Sequence, residues 1–99
     1  MHACKITVLK RAIFLELAEF AQGEIKQCER FYDGQEFLLD GSSIAPPPDF
    51  CPWAWADLRS SILAIMSGGN LPWSSRPGLT ITCCTDGIRP VVFKVERLD

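Results

Sequence analysis

Three consecutive prolines, Pro46-Pro47-Pro48, followed by Pro52, constrain this chain more than any other stretch of it. Each proline removes an amide donor and fixes φ, so residues 45 to 49 cannot lie inside a helix. A stiff spacer that delivers Phe50 and Cys51 to a fixed place is expected there; recognition of the polyproline run by a partner is the alternative. Pro52 suits the first position of a helix, where its missing donor would be unpaired in any case, and Cys51 then becomes the N-cap. Beyond it Trp55, Leu58, Ile62, Ile65 and Met66 recur at helical spacing against Arg59 and Ser60, and Gly68-Gly69 ends the run.

The flanking segments follow from their periods. Cys4 to Lys10 alternate, with Cys4, Ile6 and Val8 on one face and Lys5, Thr7 and Leu9 on the other, which predicts a half-buried strand. Arg11 to Gln22 changes to a helical period that gathers Ile13, Phe14, Leu17, Phe20 and Ala21, and Gly23 stops it. Residues 24 to 33 show no period and read as an irregular connection. Gly34 to Asp40 reads as a short strand ending in the turn formers Asp40-Gly41-Ser42-Ser43, and Asn70 to Gly78 as a loop carrying Trp73. The last twenty residues alternate on both sides of Asp86-Gly87, a hairpin signal. An odd loop, Asp86-Gly87-Ile88, would set Cys83 opposite Val91 and Ile81 opposite Phe93 and keep one apolar face.

The predicted order is therefore β-α-β-α-β-β, an α+β fold with a roughly four-stranded sheet packed by two helices and a C-terminal β-hairpin. Ninety-nine residues suit one domain over 1–99. With 47% hydrophobic and 22% charged residues the composition is that of an ordinary globule, and a formal charge of −2 with scattered Lys and Arg offers no basic face for nucleic acid. No apolar run reaches the ~20 residues of a membrane helix, and the opening residues have no leader pattern, so a cytoplasmic protein with no membrane partner is expected. Its cysteines, Cys4, Cys28, Cys51, Cys83 and Cys84, should then be free thiols.

Function is expected where the second helix begins. If that helix lies back on the sheet, its ~16 residues span about 24 Å, and the following strand of ~7 residues about 23 Å, so their far ends meet. Cys51 would then stand beside Cys84, Asp86 and Arg89. A thiol at a helix N-terminus near an arginine tends toward the thiolate, and Asp57, held between Trp53 and Trp55, would be desolvated and suited to general acid or base work. The expected catalytic groups are Cys51, Asp57 and Asp86, with Trp53, Trp55, Trp73, Cys84 and Arg89 binding ligand. Each also has a simpler reading: Cys51 as a small core filler, Asp57 as a first-turn charge, Asp86 as a turn former with Arg89 its local partner. Adjacent Cys83 and Cys84 point to opposite faces of a strand, and no Cys-x-x-Cys or His-x-His spacing occurs, so no metal or other cofactor is expected. A thiolate site made by Cys28, Cys51 and Cys83 or Cys84 remains a third reading.

The stretches Gly34-Gln35-Glu36-Phe37, Phe50-Cys51-Pro52-Trp53-Ala54-Trp55-Ala56-Asp57, Gly68-Gly69-Asn70-Leu71-Pro72-Trp73 and Cys83-Cys84-Thr85-Asp86-Gly87-Ile88-Arg89-Pro90-Val91, with the opening Lys5 to Leu9, resemble a family of small bacterial and archaeal proteins with no assigned activity. The resemblance spans nearly the whole chain. It implies a self-standing domain and assigns no catalytic role to any residue. The leading expectation is a small-molecule-binding domain capable of cofactor-free acid/base chemistry of isomerase, cyclase or decarboxylase type. A non-catalytic adaptor or homo-oligomer, using the Trp73 loop and the hairpin edge, is the second.

Overall fold

The structure is a computed structural model and describes residues 1–98. Strands β1 (Cys4–Arg11), β2 (Glu36–Leu39), β3 (Leu79–Cys83) and β4 (Val91–Arg97) form one sheet in the order β2-β1-β4-β3. Every neighbouring pair is antiparallel, including β1 with β2, whose direction the sequence left open. A 3-10 helix spans Leu15–Phe20, and the long helix α1 (Pro52–Met66) lies across the sheet. The fold is thus the small α+β arrangement that the alternating and helical periods describe.

The core forms where two apolar stripes meet. Cys4, Ile6 and Val8 of β1 and Val91, Phe93 and Val95 of β4 share the inner sheet face, and Leu58, Ile62, Ile65 and Met66 of α1 cover them. Burial of side chains this large stabilises by about 1.5–3 kcal/mol each. The outer face has no helix over it and carries charge instead. Glu96 lies 3.1 Å from Arg76, 3.4 Å from Lys94 and 3.7 Å from Lys5, and Lys5 also reaches Glu36 at 3.3 Å.

The helix expected over Arg11–Gln22 is the shorter 3-10 element, and none of its residues is buried. Sheet pairing takes the residues that would have started it. The amide of Ala12 donates to Pro90 O at 2.8 Å and that of Phe14 to Ile88 O at 2.7 Å, so the β1–β4 pairing continues past the ends of both strands. Covering of the sheet therefore falls to α1 alone, and Leu15 and Phe20 stay mostly exposed. A bulge between Val8 and Lys10 shifts the β1–β4 register. Arg11 is thereby paired with inward-facing Val91 and lies on the same side of the sheet. Its guanidinium reaches Asp33 at 3.0 Å and Cys28 O at 3.1 Å, which ties residues 28–33 to that side.

The C-terminal hairpin corrects a second expectation. Thr82 pairs with Phe93 and Ile81 with Lys94, and Cys84 N–H donates to Val91 O, leaving the even loop 85–90 in place of an odd one. A one-residue slip exchanges the faces of a strand, so Ile81 and Cys83 point outward while Thr80, Thr82 and Cys84 share the face of Val95, Phe93 and Val91. The wide loop is stable because side chains satisfy its amides: Asp86 accepts from Ile88 and Arg89, and Asp57 from Thr85.

Sheet and helix are also joined at the far end. Arg97 donates through Nη1 to the carbonyls of Ile65 and Gly69, at 2.9 and 2.8 Å, and through Nη2 to Asn70 Oδ1 at 2.9 Å. A cation on the last carbonyls of a helix satisfies orphan acceptors and complements the dipole. Arg97→Ala is expected to lower unfolding free energy by about 1.5–3 kcal/mol, the range for bonds to a charged group. Arg97→Lys, which lacks the planar fork, should recover only part of it. Urea denaturation of the two variants checks this; an undiminished Arg97→Ala would show that the loop holds without the guanidinium.

Candidate functional site

The proline run sets the site. After Pro48, Asp49 adopts a left-handed backbone (φ 63°), a conformation Asp tolerates better than most residues. The resulting turn, closed by Phe50 N–H on Pro47 O at 3.2 Å, drives Phe50 inward and leaves Cys51 extended as the N-cap of α1. Pro52 opens the helix, and Cys51 O accepts the amide of Trp55 at 2.9 Å. The Cys51 sulfur makes no capping bond, and no acidic residue occupies the first turn. The amides of Trp53 and Ala54 therefore have no partner among the described residues.

The start of α1 meets the 85–90 loop, although β3 is five residues long where ~7 were expected; Cys84 and Thr85 cover the rest of the distance. One oxygen of Asp57, Oδ2, accepts both the amide and the hydroxyl of Thr85, at 2.8 and 3.0 Å. Beside this crossing lies a cleft of about 410 Å³. Cys51, Trp53, Ala54 and Asp57 form its helix side, and Cys84, Thr85, Asp86, Arg89 and Val91 its hairpin side. Cys28, Arg30 and Phe31 close it from the irregular segment. A smaller cleft of about 300 Å³ lies behind Asp86 and Arg89, against residues 21–25.

Six of the eight anticipated site residues thus line one cavity: Cys51, Trp53, Asp57, Cys84, Asp86 and Arg89. Trp55 does not. It is buried in the core, edge-on to Phe50 at 5.7 Å between ring centres. Trp73 lies in the loop beyond the other end of α1, exposed and apart from the cleft. Asp57 is not held between two indoles, because Trp53 projects into solvent (80% exposed) while Trp55 turns to the core. Arg30 and Phe31 went unread because their segment has no period. The one signal they offered was an apolar ring, Phe31, in a run of polar residues, and that ring is buried against Phe37, Phe50 and Phe93.

The chemistry available is set by what these groups already bind. Asp86 Oδ1 accepts the amides of Ile88 and Arg89, each at 2.9 Å, and Oδ2 lies 3.5 Å from Arg89 Nε. Partial burial works against its ionisation, but those amide bonds and the Arg89 charge outweigh it and hold the carboxyl below its usual range. At neutral pH it is an anion fixed in its own turn. That arrangement suits a structural clasp better than proton transfer. Cys84 Sγ accepts the amide of Val91 at 3.3 Å. Cys28, Cys51 and Cys84 are free thiols on the cleft wall. Among the described residues no three His, Cys, Asp or Glu side chains are grouped to hold a metal ion. No described helix is long and apolar enough to cross a membrane.

Fold and cavity together define a small α+β domain with a cleft between helix start and hairpin turn. Comparison with protein-family models, with curated proteins and with solved structures finds no match to the chain.

Two outcomes test this description. Burial raises the Cys4 thiol to about 11, so a thiol reagent added to folded protein at pH 8 should modify exposed Cys83 and the cleft cysteines but reach Cys4 only in denaturant. Peptide mapping that finds Cys4 labelled in the folded state would contradict the packing. For Asp86, a lowered folded-state pKa means that its contribution is present above the ordinary carboxylate value, ~3.9, and is lost as pH falls through the lower folded one. Unfolding free energy should drop between pH 5 and 2, and by less in Asp86→Asn, which keeps the oxygen acceptor without the charge.

Proposed function

We propose that this domain binds a small organic molecule in the cleft between the start of α1 and the 85–90 loop. The observation that supports this reading is convergence: three separated segments, 28–31, 51–57 and 84–91, meet around one cavity of about 410 Å³. That volume falls in the range of small-molecule sites. Polar and thiol groups stand there next to an exposed indole, Trp53, which packing does not require. Binding is better supported than turnover, because Asp86 is engaged within its own turn and Asp57 holds Thr85 through one of its oxygens. In an acid/base reaction of isomerase, cyclase or decarboxylase type the Cys51 thiol would be the reacting group. Membership in the small bacterial and archaeal family is likewise a proposal, supported by the motifs at 50–57 and 83–91, which supply two of the cleft's walls.

A thermal-shift screen of small metabolites tests the reading. A molecule that saturates the folded protein stabilises it by about 2.7 kcal/mol at a hundredfold excess over Kd, enough to raise Tm by several degrees. The shift should shrink in Trp53→Ala and Cys51→Ser, and unchanged shifts in both would remove the cleft from consideration.

A second reading, a homo-oligomer or adaptor, has its own observation. β3 is an edge strand of the sheet, and Trp73 in the loop leading to it is 75% exposed. Sedimentation showing only monomer at high concentration would count against it.

A further inference from the structure

We infer that the cleft selects a small organic anion, a carboxylate or phosphate attached to a planar group. This rests on the small-molecule reading above and adds the charge of the ligand. The argument is an accounting of hydrogen-bonding groups around the cavity. Acceptors there are nearly all taken. Asp57 Oδ2 holds Thr85 twice, Asp86 Oδ1 holds two amides, Asp86 Oδ2 faces Arg89 Nε, and Cys84 Sγ holds Val91 N–H. Asp57 Oδ1 alone among the carboxylate oxygens has no partner among the described residues.

Donors are in the opposite state. Arg30 lines the cleft and makes no hydrogen bond or ion pair among the described residues. Arg89 pairs with Asp86, its Nε lying 3.5 Å from Oδ2, and its Nη groups make no hydrogen bond among the described residues. Glu29, whose charge also acts on Arg89, is held 2.9 Å from Lys26. Arg30 has no partner in the fold that would explain its place at the cavity, while Arg89 both steadies the Asp86 turn and turns its remaining donors to the cleft. A guanidinium presents paired donors that match the planar geometry of a carboxylate or the oxygens of a phosphate. The unpartnered amides of Trp53 and Ala54 add the same preference from the helix side, but the two guanidiniums carry the selectivity. At the rim the indole of Trp53 offers a flat apolar wall for the rest of the molecule, and the free Asp57 oxygen an acceptor for one hydroxyl or amine on it.

The test is a two-dimensional NMR titration of the whole chain, following the amides of Trp53 and Ala54 and the Nε–H groups of Arg30 and Arg89. The probes are benzoate, phenyl phosphate and inorganic phosphate as anions, and benzamide and benzylamine as neutral and cationic counterparts. Benzoate and phenyl phosphate should shift these resonances saturably, at least tenfold more tightly than benzamide, with benzylamine weakest. Comparison of benzoate with phenyl phosphate tells which acid group is preferred. Arg30→Gln, at an exposed side chain without partners, should leave the unfolding midpoint unchanged while weakening benzoate binding about fivefold, and doubling the salt concentration should weaken it further. Equal affinity for benzoate and benzamide would overturn the inference while leaving a small-molecule cleft intact. Absence of saturable shifts from every probe, and from every metabolite in the thermal-shift screen, would remove both.

Discussion

Packing around one ring, Phe50, holds the separate parts of this domain in register. Its centre lies 4.8 Å from Phe37 of β2, 5.1 Å from Phe31 of the irregular segment, 5.7 Å from Trp55 of α1 and 5.9 Å from Phe93 of β4. Most of these contacts are edge-to-face, the arrangement the ring quadrupole favours, and each adds about 0.5–1.5 kcal/mol beyond burial. An edge strand, a loop, a helix and a central strand are therefore fastened at one point. The proline run and the left-handed Asp49 matter because they aim this side chain.

The cleft is a by-product of that fastening. Phe31 is drawn under the sheet's end by Phe50 and Phe93, and Arg11, turned inward by the β1 bulge, holds Cys28 O and Asp33 on the same side. The strip between Cys28 and Phe31 becomes a wall facing the start of α1. Asp57 and Thr85 close the remaining seam. Asp86 is occupied within its own turn and Asp57 is held by Thr85 through one oxygen, and beside them the cavity presents guanidinium, free thiol and indole. A residue type that suggests catalysis in a sequence can serve as a clasp once its partners are known.

Local chemistry explains which features were legible beforehand. Pro52 after an extended Cys51 marks the helix start without reference to the rest of the fold, and the alternation of Cys4, Ile6 and Val8 against Lys5 and Thr7 marks β1 equally well. The reversal of the chain between α1 and β3 then placed Cys51 and the 85–90 loop at the same end, although β3 is shorter than its alternation suggested. Two features depended on distant partners. Residues 12–14 have a helical pattern, yet the amides of Ala12 and Phe14 are claimed by Pro90 and Ile88 across the sheet. In β3 the branched Ile81 looked inward-facing beside Thr80 and Thr82, but the loop amides bound by Asp57 and Asp86 set an even register and sent it outward. Arg30 carried no local signal at all, since its place on the cleft depends on Phe31 and Arg11.

Strand order has one more consequence. β4 is made after the other three strands, yet it lies between β1 and β3 in the middle of the sheet. During translation the first two strands can pair as they emerge, but β3 has no neighbour until β4 leaves the ribosome. Cooperative folding of this domain must therefore wait for its final strand, and a chain cut before Val91 would leave uncovered the part of the apolar face of α1 that packs on β4.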